Sequence, residues 1–236
     1  MDRMRQGVLL TAVSAAMLAG CGSDNGKDEG SGLPELGPVV AAAPATGRPI
    51  TDASILLDRL LGDGDMPPGM EQAPRSDLEG TATVGGAHTD PAACAAILQP
   101  LARQRPDALT RNAVGFNGPN FSSIDIDAAT YSNDKLGSAF ESFQRVLRGC
   151  ERYSGTDADK TVIDYRLGAL PQPKAGDAST AFQLRLTSEG FTLVSLVGLI
   201  QVGNTLVQIS VTAPESVDPG LLSDVAAAQV RALTAP

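Results

Sequence analysis

Residues 180–212 leave this chain the least conformational choice. Phe182, Leu184 and Leu186 alternate with Gln183, Arg185 and Thr187, and later Val207, Ile209 and Val211 alternate with Gln208, Ser210 and Thr212. A period of two sends successive side chains to opposite faces of a pleated strand, so each segment reads as a strand with one apolar face. Between them residues 191–202 are almost continuously apolar, the pattern of a strand covered on both faces. Glu189-Gly190 and Gly203-Asn204 are two-residue turns of the kind that close antiparallel hairpins. The three strands therefore form a meander with the apolar one in the middle.

Elsewhere the period lengthens. Leu136, Phe140, Phe143, Leu147 and Cys150 follow one another in steps of four and three, which draws one apolar stripe along a helix over 134–148, closed by Gly149. Asp218-Pro219 opens a last helix, aspartate as N-cap and proline in the first turn, with Leu222, Ala226, Val230 and Leu233 in line. Asp90-Pro91 gives the same start to a helix bearing Cys94, Ile97, Leu98 and Leu101, which Pro100 ends or kinks near Gln99. Ile55, Leu56, Arg59 and Leu60 mark a short helix over 52–61. Strand patterns appear at 161–169, briefly at 112–116, and at 123–131, where Ile124, Ile126 and Ala128 alternate with Asp125, Asp127 and Ala129. Helices and antiparallel strands in separate runs make an α+β fold: an antiparallel sheet ending in a meander, packed by helices.

The N-terminus carries a different signal. Arg3 and Arg5 precede an apolar run over 8–17, too short to span a bilayer but of secretory-leader length. Leu18-Ala19-Gly20-Cys21 follows and resembles the bacterial lipobox, in which the cysteine becomes the lipid-bearing first residue of the mature chain. Residues 1–20 are then the signal peptide and Cys21 is the lipidation site, the alternative being an ordinary leader that leaves Cys21 a free thiol. Acyl chains on one residue suffice for stable anchoring, so the expected location is the extracytoplasmic face of the cell membrane. From Gly22 to Pro49 glycine, serine, aspartate, proline and alanine dominate without a sustained period, which reads as a flexible lipidated tether over 21–50 before a folded domain over 51–236.

With Cys21 acylated, Cys94 and Cys150 form an even pair in an exported protein, which favours a disulfide over two separate buried thiols. Removing Arg3, Arg5 and Asp2 with the leader takes the formal charge from −9 to −10. So acidic a chain is a poor partner for nucleic acid or anionic headgroups. Aromatic residues at 4% and the absence of tryptophan leave packing to aliphatic side chains.

Catalytic machinery is sparse. His88 is the single histidine, set in a polar stretch after Gly85, Gly86 and Ala87 with no nucleophile-elbow motif. Asp63 with Asp65, and Asp157 with Asp159, offer alternating carboxylates, but neither pair continues into a full calcium loop. Asp125 and Asp127 share a strand face and could act as a glycosidase pair, although such carboxylates commonly just face water. Ser132 and Lys135 match a serine-x-x-lysine string without its companion motifs, so helix capping explains Ser132 better. No catalytic residue, metal site or cofactor is assigned, and ligand-binding residues stay unassigned.

A lipobox, a loose spacer, a helix with one cysteine, a second helix containing Ala139-Phe140 and ending in Arg148-Gly149-Cys150, then a meander containing Val202-Gly203-Asn204-Thr205-Leu206-Val207 and a final helix resemble the PknH-type extracellular sensor domains. These belong to mycobacterial serine/threonine kinases and to stand-alone lipoproteins. The resemblance covers about 52–236 and implies a non-catalytic binding domain with a ligand cleft for a small molecule, a cell-wall fragment or an envelope protein, tethered to the membrane through its lipid. Two departures stand out. Family members commonly carry tryptophan where this chain has Leu147, and the kinase domain has a second disulfide that three cysteines cannot supply. An envelope lipid carrier and a carboxylate-dependent hydrolase are the alternative functions.

Overall fold

The computed structural model describes residues 32–45, 47–74, 88–99, 101 and 107–235. By its internal contacts the chain divides into Met1–Gly32 and Leu33–Pro236, and all that follows concerns the second unit. The expected signal peptide over 1–20 and the expected lipidation site Cys21 lie outside the described residues.

Among the described residues nine strands form one antiparallel sheet. They are β1 (Glu71–Gln72), β2 (His88–Asp90), β3 (Thr110–Asn117), β4 (Ser123–Thr130), β5 (Arg152–Thr156), β6 (Val162–Ala169), β7 (Ala178–Ser188), β8 (Phe191–Val202) and β9 (Thr205–Pro214). Their spatial order is β1-β3-β4-β9-β8-β7-β6-β5-β2. The expected meander is β7-β8-β9, and β8 stands at the centre of the sheet. Both turns take the left-handed backbone a tight hairpin needs, at Glu189 and Gly190 (φ 49° and 81°) and at Gly203 (φ 56°).

Two helical layers cover the sheet, and β8 feeds both. Val197 and Leu199 join one core with Leu136, Ala139, Phe140, Phe143 and Leu147 of α2 (Asn133–Arg148). Val194, Leu196 and Ile200 join the other with Leu56 of α1 (Ala53–Asp58) and Leu222, Val225, Ala226 and Leu233 of α3 (Pro219–Thr234). The layers are offset. Strands β5–β7 bury only their α2 face, through Tyr153, Tyr165, Leu167, Phe182 and Leu184. Strands β3 and β4 bury chiefly the opposite face, through Val114, Phe116, Ile124 and Ile126. On the α3 side of β5–β7 the register therefore brings Arg152, Arg166 and Arg185 side by side.

Cys94 and Cys150 form a disulfide, Cα–Cα 5.7 Å, joining the segment after β2 to the end of α2. The helix expected from Asp90-Pro91 is a 3₁₀ helix, Ala92–Leu98, with Pro91 rather than Asp90 at its N-cap. Asp90 pairs with Ser154 in the ladder between β2 and β5, which holds it extended and starts the helix one residue later. Asp218 caps α3 as expected, its carboxylate accepting the Gly220 N–H at 2.9 Å. Ser132 holds the N-cap position of α2 without capping it: its hydroxyl donates to the Asp134 carboxylate at 2.6 Å.

Residues 33–45, expected within the flexible tether, run against the fold. Leu36, Ala42, Ala43 and Ala45 pack on the α2 core. Two buried glutamines grip this strap as a neighbouring strand would. Gln144 accepts the Val40 N–H at 2.7 Å and donates to its carbonyl at 2.9 Å. Gln201 does the same to Ala43, at 2.8 and 2.9 Å. On the other face Gln229 accepts the Leu61 N–H at 3.2 Å and donates to the Arg59 carbonyl at 2.8 Å. These contacts supply the packing and hydrogen bonds that composition did not promise for the strap.

Candidate functional site

Where α3 ends its cover over β7, an open cavity of about 670 Å³ remains on that side of the sheet. Ser179 and Ala181 of β7 with Gly198 and Ile200 of β8 make its floor. Leu222, Ala226 and Val230 of α3 form one wall, the 170–177 loop between β6 and β7 a second, and the strap at Gly37, Pro38 and Val40 a third.

Each wall is fixed by identifiable interactions. The loop is latched to α3 across the cavity: the Ser223 hydroxyl donates to Gln172 Oε1, and Gln172 Nε2 donates to the Pro219 carbonyl at 3.1 Å. Ser179 accepts the Ala175 N–H at 3.0 Å. Gly176 (φ 58°) lets the loop turn back on β8, since a Cβ there would stand 2.3 Å from the Gln201 carbonyl oxygen. The grip of Gln144 on Val40 sets the strap wall.

The lining is chiefly aliphatic, and its charged members are Lys174 and Arg231, both exposed. No acidic and no aromatic residue lines it. Among the described residues neither cation makes an ion pair or a side-chain hydrogen bond. An adjoining, more polar groove of about 570 Å³ shares Gly176 and Val230 and adds Arg48, Arg59 and Asp177. Asp177 is occupied there by the Gly203 N–H at 2.7 Å, and Arg59 by the Leu233 carbonyl at 3.0 Å.

None of the residues weighed from sequence for catalysis or metal binding lines the larger cavity. Asp125 and Asp127 lie together on β4, on the face away from α1 and α3. Asp125 accepts the Ser123 hydroxyl at 3.0 Å, and Asp127 accepts the Leu101 N–H at 2.9 Å. Burial pushes the Asp127 carboxyl up to about 6, with the Leu101 N–H and Arg111 pulling it back and Asp125 adding to the rise. The neighbouring strands partly desolvate Asp125 and raise it too, against the Ser123 hydrogen bond, although its side chain stays exposed. Such a pair can trade a proton, but both carboxylates already hold structural donors.

The two calcium candidates stand apart on turns. Asp65 accepts the Gly62 N–H at 3.0 Å, while Asp157 accepts those of Asp159 and Thr161 at 2.9 and 2.8 Å, which shapes the turn between β5 and β6. His88 is exposed on β2, paired with Thr156, rather than in a loop. The cavity residues escaped the sequence reading because small and aliphatic side chains carry no chemical signature. The available signal was the Pro171-Gln172-Pro173 run between two strands.

No family model matches the chain, and no curated protein matches it. Among solved structures it is similar to the extracellular domain of PknH from Mycobacterium tuberculosis, with a TM-score of 0.58 at 10% identity over 80% of this chain and 99% of that one. It also aligns with an uncharacterised Mycobacterium smegmatis protein, the Rv0999 ortholog, at a TM-score of 0.40 and 14% identity over 73% of this chain and 93% of that one. The first match shows that the fold is that of the PknH extracellular domain, as the order of elements in the sequence had suggested.

Proposed function

We propose that this chain is an exported lipoprotein, held on the extracytoplasmic face of the membrane by acyl chains on Cys21, whose folded unit binds a ligand and performs no catalysis. The observation that carries this reading is the cavity beside α3, walled by four separate parts of the fold and of a size typical of small-molecule sites. The likeness to the extracellular domain of a kinase supports a binding role outside the cell. The leader with its Leu18-Ala19-Gly20-Cys21 string supports the anchor. Asp125 and Asp127 stand outside the cavity with both carboxylates engaged, which favours binding over hydrolysis.

The ligand is a small molecule, a cell-wall fragment or part of an envelope protein. Thermal-shift screening against these classes should find one that raises Tm, and Ala181→Phe, which fills the floor, should abolish the shift with the unliganded Tm little changed. A shift that survives Ala181→Phe would place binding elsewhere. Cys21→Ala should move the protein from the membrane to the soluble fraction; retention at unchanged mass would overturn the anchor. A second reading, an envelope lipid carrier, is favoured by the aliphatic lining, and lipid co-purifying in native mass spectrometry is its test.

A further inference from the structure

We propose that the ligand of this cavity is a single-chain anionic amphiphile: one acyl chain ending in a carboxylate or a phosphate. The inference rests on the binding reading above and names its ligand class.

Three properties of the lining select that chemistry. The floor and the α3 wall offer Leu222, Ala226, Val230 and Ile200, which bind by removing apolar surface from water and reward a flexible hydrocarbon. No aromatic ring is present, so a planar heterocycle or a sugar ring has no face to stack on. The neutral polar side chains Gln172, Ser179 and Ser223 already take part in the latch and the loop, and Thr180 adds only a hydroxyl, so the charge of the lining is purely cationic. Lys174 on the loop and Arg231 on α3 supply it, in a chain whose formal charge is −9.

Two cations that make no ion pair among the described residues, beside an aliphatic cavity with no carboxylate in its lining, complement an anion at the end of an apolar chain. A metal ion or polyamine would find no counter-charge there. At about 670 Å³ the space suits one acyl chain rather than a diacyl lipid with its headgroup.

The test titrates the purified full chain with palmitate, palmitoyl lysophosphatidate, hexadecanol and hexadecyltrimethylammonium, each below its aggregation limit. The anionic probes should bind about ten-fold or more tightly than hexadecanol, and that preference should weaken with salt. Lys174→Gln with Arg231→Gln, both at exposed positions, should remove the preference, so that acid and alcohol bind the variant equally. The better of palmitate and lysophosphatidate identifies the head as carboxylate or phosphate.

Equal affinity for acid and alcohol, tightest binding of the ammonium probe, or a preference that survives the double substitution overturns the proposal. So does palmitate binding that survives Ala181→Phe. If no lipid binds while another ligand gives a shift that Ala181→Phe abolishes, the ligand class falls and the cavity reading stands; if no ligand of any class gives such a shift, both fall.

Discussion

Burial holds the Asp127 carboxyl at about 6, so the folded chain keeps this proton more tightly than the unfolded one. The sign follows directly: the stability protonation contributes is full below the ordinary carboxylate value of 3.8 and is lost as pH rises through about 6. The shift corresponds to no more than about 3 kcal/mol. Asp127→Asn keeps an oxygen for the Leu101 N–H and removes the charge. Denaturant titration should find the variant more stable than the parent at pH 7.5 and nearly equal to it at pH 4, while an equal deficit at both would show that burial does not govern this carboxyl. The strand bearing Asp127 was legible from the alternation of Ile124 and Ile126, but its partial burial was not. The donor at Leu101 is 26 positions away, and no local pattern announces its approach.

Elements obey periodicity where one face is apolar, and depart from it where a few polar atoms do the holding. The apolar stripes of α2 and α3, and strands β4 and β6–β9, were readable because burying a side chain every second or every third and fourth residue leaves a lasting pattern. Strand β5 left none: in Arg152-Tyr153-Ser154-Gly155-Thr156 only Tyr153 is large and apolar. The strap left less, and its composition argued for the opposite. Gln201→Leu conserves volume and removes both hydrogen bonds to Ala43. Hydrogen–deuterium exchange should then quicken at Val40 and Ala43 while β8 keeps its protection, with a stability loss of about 1–3 kcal/mol. Unchanged exchange at Ala43 would mean that packing of Leu36 and Ala42, not the glutamine grip, secures the strap.

For the whole molecule, the offset of the two helical layers decides where a ligand can enter. The sheet is doubly covered only near β8 and β9, so its α3 side lies open along β7, and the loop and strap turn that opening into a cavity. The disulfide braces the α2 side, closing a loop with a sequence separation of 56. On chain-entropy grounds its loss costs about 4 kcal/mol, so Cys94→Ser with Cys150→Ser should lower the unfolding free energy by that amount, and a much smaller change would show that the α2 core suffices without it. The meander, its two turns, the apolar stripes of α2 and α3 and the Asp218 cap are written in local pattern, because each depends on residues close together in the chain, and the α+β class follows from their order. The docking of the strap, the shape of the cavity and the meeting of Lys174 and Arg231 at its lining arise only once distant segments pack together. Val40 meets Gln144 across 104 positions and Ala43 meets Gln201 across 158, and a contact between distant small residues leaves no periodic trace in the chain that makes it.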